Sequence, residues 1–283
     1  MTRPPIRAAL IGAHIDPSLS PAMHETEGSA LGLTYHYDRI DTARSCLDLE
    51  SILAQAREAA CAGVNITHPH KQEILPLLTS LDDRARRIGA VNTVVFKEDG
   101  ETLGMNTDHR GFARALLRHI GSIQGQTVAQ YGAGGAGSAV ALALCEAGIR
   151  HLLITDTDAR KSNALAQRLR GMGWRADAEE VIGSAGIDGA VNCTPVGMAW
   201  CPGQVFDPGG LSRDAWVADC VYPYETELVS NARAAGLAVM DGARMALFQM
   251  AASFEIFTGT APDIDRMERM LTVLLADDRR HKA

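Results

Sequence analysis

The 283-residue chain lacks several features that would assign it to a specialised class of protein. No apolar run approaches the roughly 18 residues that a membrane-spanning helix needs, which argues against a membrane protein. Residues 1–5 lead straight into a strand-like segment, without the apolar region and small-residue cleavage site of a secretory signal. A cytoplasmic location is therefore expected. No internal repeat and no low-complexity tract is found.

Excess positive charge and paired cysteines are also missing. The net charge of −7 is spread over mixed charges, so we expect no nucleic-acid partner. The six cysteines form no CxxC pair and have no metal-ligand spacing, so reduced core thiols are expected. His68 and His70 lack a third ligand and helical spacing, which argues against a metal site. The 46% hydrophobic content is that of a soluble globular protein, and the length favours two domains.

Residues 128–140 indicate a dinucleotide-binding site, because a short strand runs into a glycine loop and then a helix. Gly132 suits the tight turn, Gly134 allows close approach of the backbone to a pyrophosphate, and Gly137 allows the helix to pack against the strand. The alternative is a flexible loop rich in glycine and alanine. The residues predicted to hold the cofactor here are Gly132, Ala133, Gly134, Gly135, Ala136 and Gly137.

The next strand, His151–Thr155, supports the dinucleotide interpretation because it ends directly before Asp156. This acid lies about 20 residues after the loop, where a carboxylate accepts hydrogen bonds from the adenosine ribose. We therefore predict a ribose contact for Asp156.

The first half of the chain alternates strand and helix signals, which predicts an α/β fold. Strands are predicted at residues 6–12, 35–40 and 89–96, and residues 63–71 are predicted to be a buried strand followed by the start of a helix. Helices are predicted at 46–60, from a cap at Thr67 toward residue 78, and at 110–120. These assignments place the polar residues that follow.

Some of these polar residues have a purely structural explanation. Ser20 before Pro21 can cap a helix, and Asp108 can cap the helix at 110–120. Lys71 is harder to explain, since a cation in the first turn of the predicted helix opposes the helix dipole. Asn92 lies in a predicted strand, where asparagine is disfavoured unless a turn or a ligand uses it.

Several motifs, taken in order, resemble the shikimate/quinate dehydrogenases over nearly the whole chain. They are SLSP at 18–21, NITHPHK at 65–71, GAVNT at 89–93, NTD at 106–108 with Gly111-Phe112, the glycine loop, NCTPVGM at 192–198, and Asp241-Gly242 through Gln249.

That resemblance implies an α/β enzyme with a substrate domain at 1–107, a Rossmann-type NAD-binding domain at 108–242, and C-terminal helices at 243–283 that return to the first domain. It implies Lys71 and Asp108 as the catalytic acid–base pair, and which of them is the base stays open. It also implies that the substrate is bound by Ser18, Ser20, Asn65, Thr67, Asn92, Tyr222 and Gln249, and the nicotinamide by Asn192, Thr194, Met198 and Gly242.

This assignment suits the chemistry of the shikimate pathway of aromatic amino acid biosynthesis. Oxidation of a ring alcohol needs a hydride acceptor and a side chain that takes the hydroxyl proton, with no metal. Shikimate, quinate and amino-shikimate stay open as substrates, although Ser20 suits shikimate where quinate-using relatives often have threonine. A monomer or homodimer is expected. The alternative is a non-catalytic NAD-binding sensor on the same scaffold, which would not need both Lys71 and Asp108.

Two segments depart from the family pattern. Members that use NADP carry Asn-Arg-Thr where this chain has Asp156-Thr157-Asp158. Since carboxylates repel a 2′-phosphate, NAD is expected over NADP, with Arg160 as the competing residue that would bind the phosphate. The Tyr-x-Pro-x-x-Thr motif is one residue shorter here, at residues 222–226, so the placement of Tyr222 is open.

Overall fold

The chain forms two compact units, each built around its own β-sheet. The structure, a computed structural model, describes residues 4–282. The first unit comprises Met1–Thr107 and Leu247–Ala283, and the second unit comprises Asp108–Ala246. Each contains a six-stranded sheet, so the predicted α/β class is confirmed. No helix in the described part of the chain is both long and apolar enough to cross a membrane.

The sheet of the first unit is mostly parallel. Its order is β2-β1-β3-β5-β6-β4, and β5 runs antiparallel to both of its neighbours. The elements are β1 Ile6–Gly12, α1 Ser20–Ala30, β2 Tyr35–Asp41, α2 Leu49–Glu58, β3 Gly63–Ile66, β4 Ser80–Leu81, α3 Asp83–Ile88, β5 Thr93–Phe96 and β6 Thr102–Met105.

The sheet of the first unit is covered on both faces. Strand β1 shows this, because its apolar run is buried on both sides. Ala9 and Ile11 pack with Ile52 of α2, whereas Ala8 and Leu10 pack on the opposite face. The core on that opposite face includes aromatic residues from the C-terminal part of the chain.

Two C-terminal helices, α8 at Gly242–Thr258 and α9 at Ile264–Lys282, supply those contacts. The ring of Phe254 stacks on Tyr35 with centroids 5.6 Å apart. The guanidinium of Arg266 donates two hydrogen bonds of 2.7 Å to the fully buried Glu27 of α1. The chain returns to the first unit inside α8, after Ala246, rather than at the position 242 that the sequence suggested.

The helix predicted between Thr67 and residue 78 is wrong. The segment forms turns and a short 3₁₀ helix, Leu75–Leu77, which contains Pro76. The carbonyl of Lys71 accepts a 2.7 Å hydrogen bond from the N–H of Val91, so it is not used by a helical turn. The helix-dipole argument for Lys71 therefore does not apply.

Other helix and strand boundaries also differ from the predicted ones. Helix α2 begins only after Asp48, whose side chain accepts from the N–H of Ser51 at 2.8 Å and caps the helix. Ser20 is the first residue of α1 and not its cap. Strand β5 begins at Thr93, so Asn92 precedes it.

The second unit is a fully parallel sheet in the order β12-β11-β10-β7-β8-β9. This is the doubly wound order of dinucleotide-binding folds, with a topological switch point between β7 and β10. The elements are α4 Asp108–His119, β7 Thr127–Tyr131, α5 Gly135–Glu146, β8 His151–Thr155, α6 Ala159–Gly171, β9 Ala176–Ala178, β10 Gly189–Asn192, β11 Trp216–Asp219, α7 Glu227–Ala234 and β12 Ala238–Met240.

The cysteines are free thiols, but only two of them are buried core residues. Cys61 and Cys145 are buried, whereas Cys46 is exposed. Cys193, Cys201 and Cys220 are partly buried. The expectation that all of them lie in the core is therefore wrong, and Cys46 is the clearest exception because it lies in the loop before α2.

Candidate active site and dinucleotide site

The glycine loop of the second unit lies at the switch point between β7 and β10. Gly132 has φ +101°, a left-handed conformation that favours glycine. A Cβ on Gly137 would lie 2.2 Å from the carbonyl oxygen of Gly132, so only glycine allows this approach of helix and strand. The buried side-chain amide of Gln130 donates to the carbonyls of both glycines at 2.9 Å. Gln130 thus holds the loop, a role that the sequence reasoning missed.

Gly134 is different, because it is the N-cap of α5 and a Cβ there would meet nothing within 4 Å. The backbone therefore has open space beside it. The first N–H groups of α5 have no helical acceptor, and such groups bind phosphate oxygens. Gly134, Gly135 and Ala136 thus present a surface that fits a pyrophosphate.

Asp156 joins the end of β8 to this loop. One carboxylate oxygen accepts from the N–H of Ala133 at 2.7 Å, and the other accepts from the N–H of Asp158 at 2.9 Å. Asp156 therefore shapes the loop as well as lying where a ribose contact is predicted.

Asp158 and Arg160 form an ion pair directly after Asp156. Asp158 caps α6, and both of its carboxylate oxygens accept from the guanidinium of Arg160 at 2.9 Å. This contact lowers the pKa of the Asp158 carboxyl. The guanidinium that was expected to compete for a phosphate is thus held by a carboxylate.

The loop after β10 is shaped by Asn192. Its side-chain oxygen accepts from the N–H of Thr194 at 2.9 Å and from the Thr194 hydroxyl at 2.7 Å. Its amide donates to the carbonyl of Val196 at 2.9 Å and to Asp219 at 3.0 Å. The polar atoms of Asn192 are therefore bonded within the protein, and the nicotinamide contact implied for Asn192 stays a prediction.

Met198 and Gly242 also have defined structural contacts. The sulfur of Met198 accepts from the hydroxyl of Tyr224 at 3.5 Å. A Cβ on Gly242 would lie 2.1 Å from the carbonyl oxygen of Val221, which explains glycine at this position. Tyr222 is half-buried in the segment between β11 and α7, directly after Val221.

Asp219, at the end of β11, is a buried carboxylate that the sequence reasoning missed. It accepts hydrogen bonds from Asn192, from the N–H of Val221 at 3.0 Å and from the hydroxyl of Thr226 at 2.6 Å. Burial raises its pKa to about 6, although these hydrogen bonds act in the opposite direction. A signal was present, because Asp219 ends a short apolar strand and Asp156 directly follows one.

The first unit contains a buried cluster of amides and hydroxyls, formed by Tyr37, Asn65, Asn92, Thr93 and Thr107. Asn65 accepts from the hydroxyl of Tyr37 at 2.7 Å and donates to the hydroxyl of Thr93 at 3.0 Å. Asn92 accepts from the N–H of Thr107 at 2.7 Å and donates to its hydroxyl at 2.9 Å. These contacts join Asn92 to a residue fifteen positions away and do not form a turn, so the substrate role implied for Asn92 stays a prediction.

Gln249 lies at the edge of this cluster, with its side-chain oxygen 3.5 Å from the Thr107 hydroxyl. Three predicted substrate residues, Asn65, Asn92 and Gln249, are therefore brought together around Thr107. Asp108 follows Thr107 directly in the chain and is the buried first residue of α4.

The remaining predicted residues of the first unit lie on the segments after β1 and β3. The hydroxyl of Ser18 accepts from the N–H of Ser20 at 3.3 Å and donates to its hydroxyl at 3.2 Å. The N–H of Thr67 donates to the carbonyl of Ile11 at 2.9 Å, which fixes the start of the segment that carries Lys71. Lys71 is half-buried, and its pairing with Asp108 stays a prediction.

A cavity of about 460 Å³ in the first unit lies at a different place. His70 contacts the hydroxyl of Thr42 at 2.8 Å and the carboxylate of Glu73 at 2.6 Å there. The side chains that line the cavity include none of the predicted substrate residues. Among the described residues, no group of three or more His, Cys, Asp or Glu could hold a metal ion.

Comparison with known proteins gives concordant matches. Residues 10–94 match the family model described as the shikimate dehydrogenase substrate binding domain. A quinate/shikimate dehydrogenase (NAD(+)) of Corynebacterium efficiens is 45% identical over 94% of this chain and 98% of its own length. A shikimate dehydrogenase (NADP(+)) of an Arthrobacter species is 47% identical over 94% of each chain. A solved quinate dehydrogenase from Corynebacterium glutamicum in complex with NAD is 42% identical, with a TM-score of 0.84 over 95% of this chain and 99% of that chain.

Proposed function

Because the chain belongs to the shikimate/quinate dehydrogenase family of oxidoreductases, we propose that it transfers hydride reversibly between a ring hydroxyl of shikimate and NAD, and that it also accepts quinate. The observation that carries this proposal is the glycine loop at the switch point of the second unit, held by Gln130 and Asp156. A non-catalytic sensor is not favoured, since the relatives that span 94% of this chain are dehydrogenases.

We propose Lys71 and Asp108 as the groups that handle the proton. The bound nicotinamide supplies the hydride acceptor, and a side chain must take the hydroxyl proton as the hydride leaves. A lysine and a carboxylate can pass this proton between them, so we propose that the two side chains act together. No metal ion is required by this chemistry.

For the substrate, we propose binding by Ser18, Ser20, Thr67, Gln249 and Tyr222. Hydroxyl and amide groups suit a ring that carries several hydroxyls and a carboxylate. Asn65 and Asn92 are included in the site, and their internal hydrogen bonds support a role in fixing the walls of the pocket.

We further propose that NAD is preferred over NADP. The carboxylate of Asp156 lies at the end of β8, where the adenosine ribose binds in this fold. A 2′-phosphate would meet this charge, and two unit charges about 4 Å apart repel by up to about 4 kcal/mol before salt screening. Arg160, the cation that would offset the repulsion, is paired with Asp158. The names of the relatives include both NAD(+) and NADP(+), so the kinetic test compares both cofactors.

The test is steady-state kinetics with shikimate and quinate, each against NAD⁺ and NADP⁺. We expect kcat/KM for NAD⁺ to exceed that for NADP⁺ by about tenfold or more. The double variant Asp156→Asn/Thr157→Arg should shift the ratio toward NADP⁺ because it removes the repulsion and adds a phosphate partner. The readout is the ratio of kcat/KM for NAD⁺ to that for NADP⁺. Any loosening of the hydrogen bond from the N–H of Ala133 in Asp156→Asn would affect both cofactors and leave the ratio unchanged.

Arg160→Gln is the matched variant. It should leave the NAD⁺/NADP⁺ ratio unchanged if Asp158 keeps this guanidinium away from the cofactor. An unaltered protein that uses NADP⁺ as well as NAD⁺, together with loss of NADP⁺ activity in Arg160→Gln, would contradict the role proposed for Asp156.

We also propose that the enzyme acts in the cytoplasm as a monomer or homodimer. Light scattering on the purified protein measures its oligomeric state directly.

A further inference from the structure

The carboxylate of Asp219 connects the end of β10 to two points on the chain between β11 and α7. One of its oxygens accepts from the amide of Asn192 and from the N–H of Val221, each at 3.0 Å. Its other oxygen accepts from the hydroxyl of Thr226 at 2.6 Å. Asp219 has no solvent exposure, so all three donors depend on it and not on water.

These segments lie at the edge of the sheet that carries the glycine loop. Asp219 pairs with Asn192 in the register of β11 and β10, and Asn192 pairs with Tyr131 of β7. The loops that follow these strands therefore start side by side. A Cβ on Gly132 would lie 2.9 Å from the backbone of Cys193, which shows how closely the two loops approach.

The donors that meet Asp219 have few other acceptors. The second N–H of the Asn192 amide already donates to the Val196 carbonyl. The Thr226 hydroxyl oxygen accepts from the N–H of Val229 at 3.2 Å as the cap of α7, so its hydrogen needs a separate acceptor. Buried donors without partners are costly, and only an oxygen-rich side chain satisfies all three.

We propose that Asp219 is a positioning residue for the dinucleotide. Through Asn192 it fixes the loop at residues 193–198 in the shape that receives the nicotinamide end, and through Val221 it fixes the backbone that leads into Tyr222. The proposal rests on the proposed function for the identity of the ligand.

The Asp219→Asn variant keeps the shape of the side chain and removes its negative charge. In Asp219→Asn the side-chain oxygen can still accept from Asn192 and Val221, whereas the amide nitrogen cannot accept the hydrogen of the Thr226 hydroxyl. Asp219→Ala removes every one of these contacts. The conservative variant should therefore restore the NADH binding that the alanine variant loses, because it keeps the contacts to Asn192 and Val221 through which the loops are held.

The experiment is a fluorescence titration with NADH, without substrate, on both variants and on a matched control. Asp188→Ala is the control, because Asp188 also accepts a backbone hydrogen bond, from the N–H of Thr127 at 2.7 Å, before the start of β10. We expect Asp219→Ala to raise the Kd for NADH about 10- to 100-fold, and Asp219→Asn and Asp188→Ala to stay within about threefold. Asp219→Ala should raise the KM for NAD⁺ more than it lowers kcat.

Asn192→Ala provides a second test, which is needed if Asp219→Ala does not fold. It releases the 193–198 loop but leaves Asp219 bonded to Val221 and Thr226, and it should also weaken NADH binding. Wild-type NADH affinity in Asp219→Ala or in Asn192→Ala would overturn the proposal, as would an equal loss in Asp188→Ala. A wild-type protein that binds NADH but oxidises neither shikimate nor quinate would overturn the proposed substrate alone.

Discussion

Two glycines of the loop are expected to affect different properties of the protein. Gly137 should determine the stability of the fold, and Gly134 should determine dinucleotide binding. A Cβ on Gly137 would lie 2.2 Å from the carbonyl oxygen of Gly132, more than about 1 Å short of ordinary contact. Overpacking of this kind costs about 1 to 3 kcal/mol, and loss of the Gln130 hydrogen bonds costs about 1 kcal/mol each. Helix propensity returns about 0.5 to 1 kcal/mol. We expect Gly137→Ala to lower the free energy of unfolding by about 2 to 4.5 kcal/mol.

Gly134→Ala should behave in the opposite way. The space beside Gly134 is open within 4 Å, so the added methyl group meets no protein atom. Alanine is a poorer N-cap than glycine, so some stability should be lost. This loss should be no more than about 1 kcal/mol. A pyrophosphate at this backbone would clash with the methyl group by about 1 to 3 kcal/mol, equivalent to about a 5- to 150-fold rise in the Kd for NADH.

Urea unfolding and NADH titration measure both effects on the same samples. Gly171→Ala is the control, since Gly171 ends α6 and a Cβ there also meets nothing within 4 Å. It should leave NADH binding unchanged. Wild-type affinity in Gly134→Ala would refute close approach of the pyrophosphate at this position, and wild-type stability in Gly137→Ala would refute the packing argument.

Two further predictions concern the first unit. Lys71→Ala should lower kcat by about 10²- to 10⁴-fold with little change in KM, because the lysine acts on the proton in flight. Steady-state kinetics with Lys97→Ala as the surface control checks this, and more than about half of the wild-type kcat would contradict it. Burial lowers the pKa of His24 to about 3, so the unfolded chain takes up a proton first as the pH falls below about 6.5. Stability should fall by about 2 kcal/mol between pH 7.5 and pH 5, and His24→Gln, but not the exposed His36→Gln, should flatten this dependence in urea unfolding.

The α/β class, the glycine loop and the strand that ends before Asp156 were readable from the amino-acid order. Each of these features depends on neighbours within a short stretch of chain: alternating apolar residues, glycines at fixed offsets, and a carboxylate after a strand. The resemblance to the shikimate/quinate dehydrogenases rested on such local motifs, and the family assignment is confirmed by relatives that span the chain.

The hydrogen-bond partners were not readable in the same way, because they meet only when distant strands pair. The Lys71 carbonyl bonds to Val91 instead of continuing a helix, and this overrode a local helix signal. Asn192 and Asp219 become neighbours only through the register of β10 and β11. Residue types and motif spacing thus identify the loops that carry the site, whereas the packing of the sheets determines which polar groups hold those loops in place and which remain directed toward a ligand.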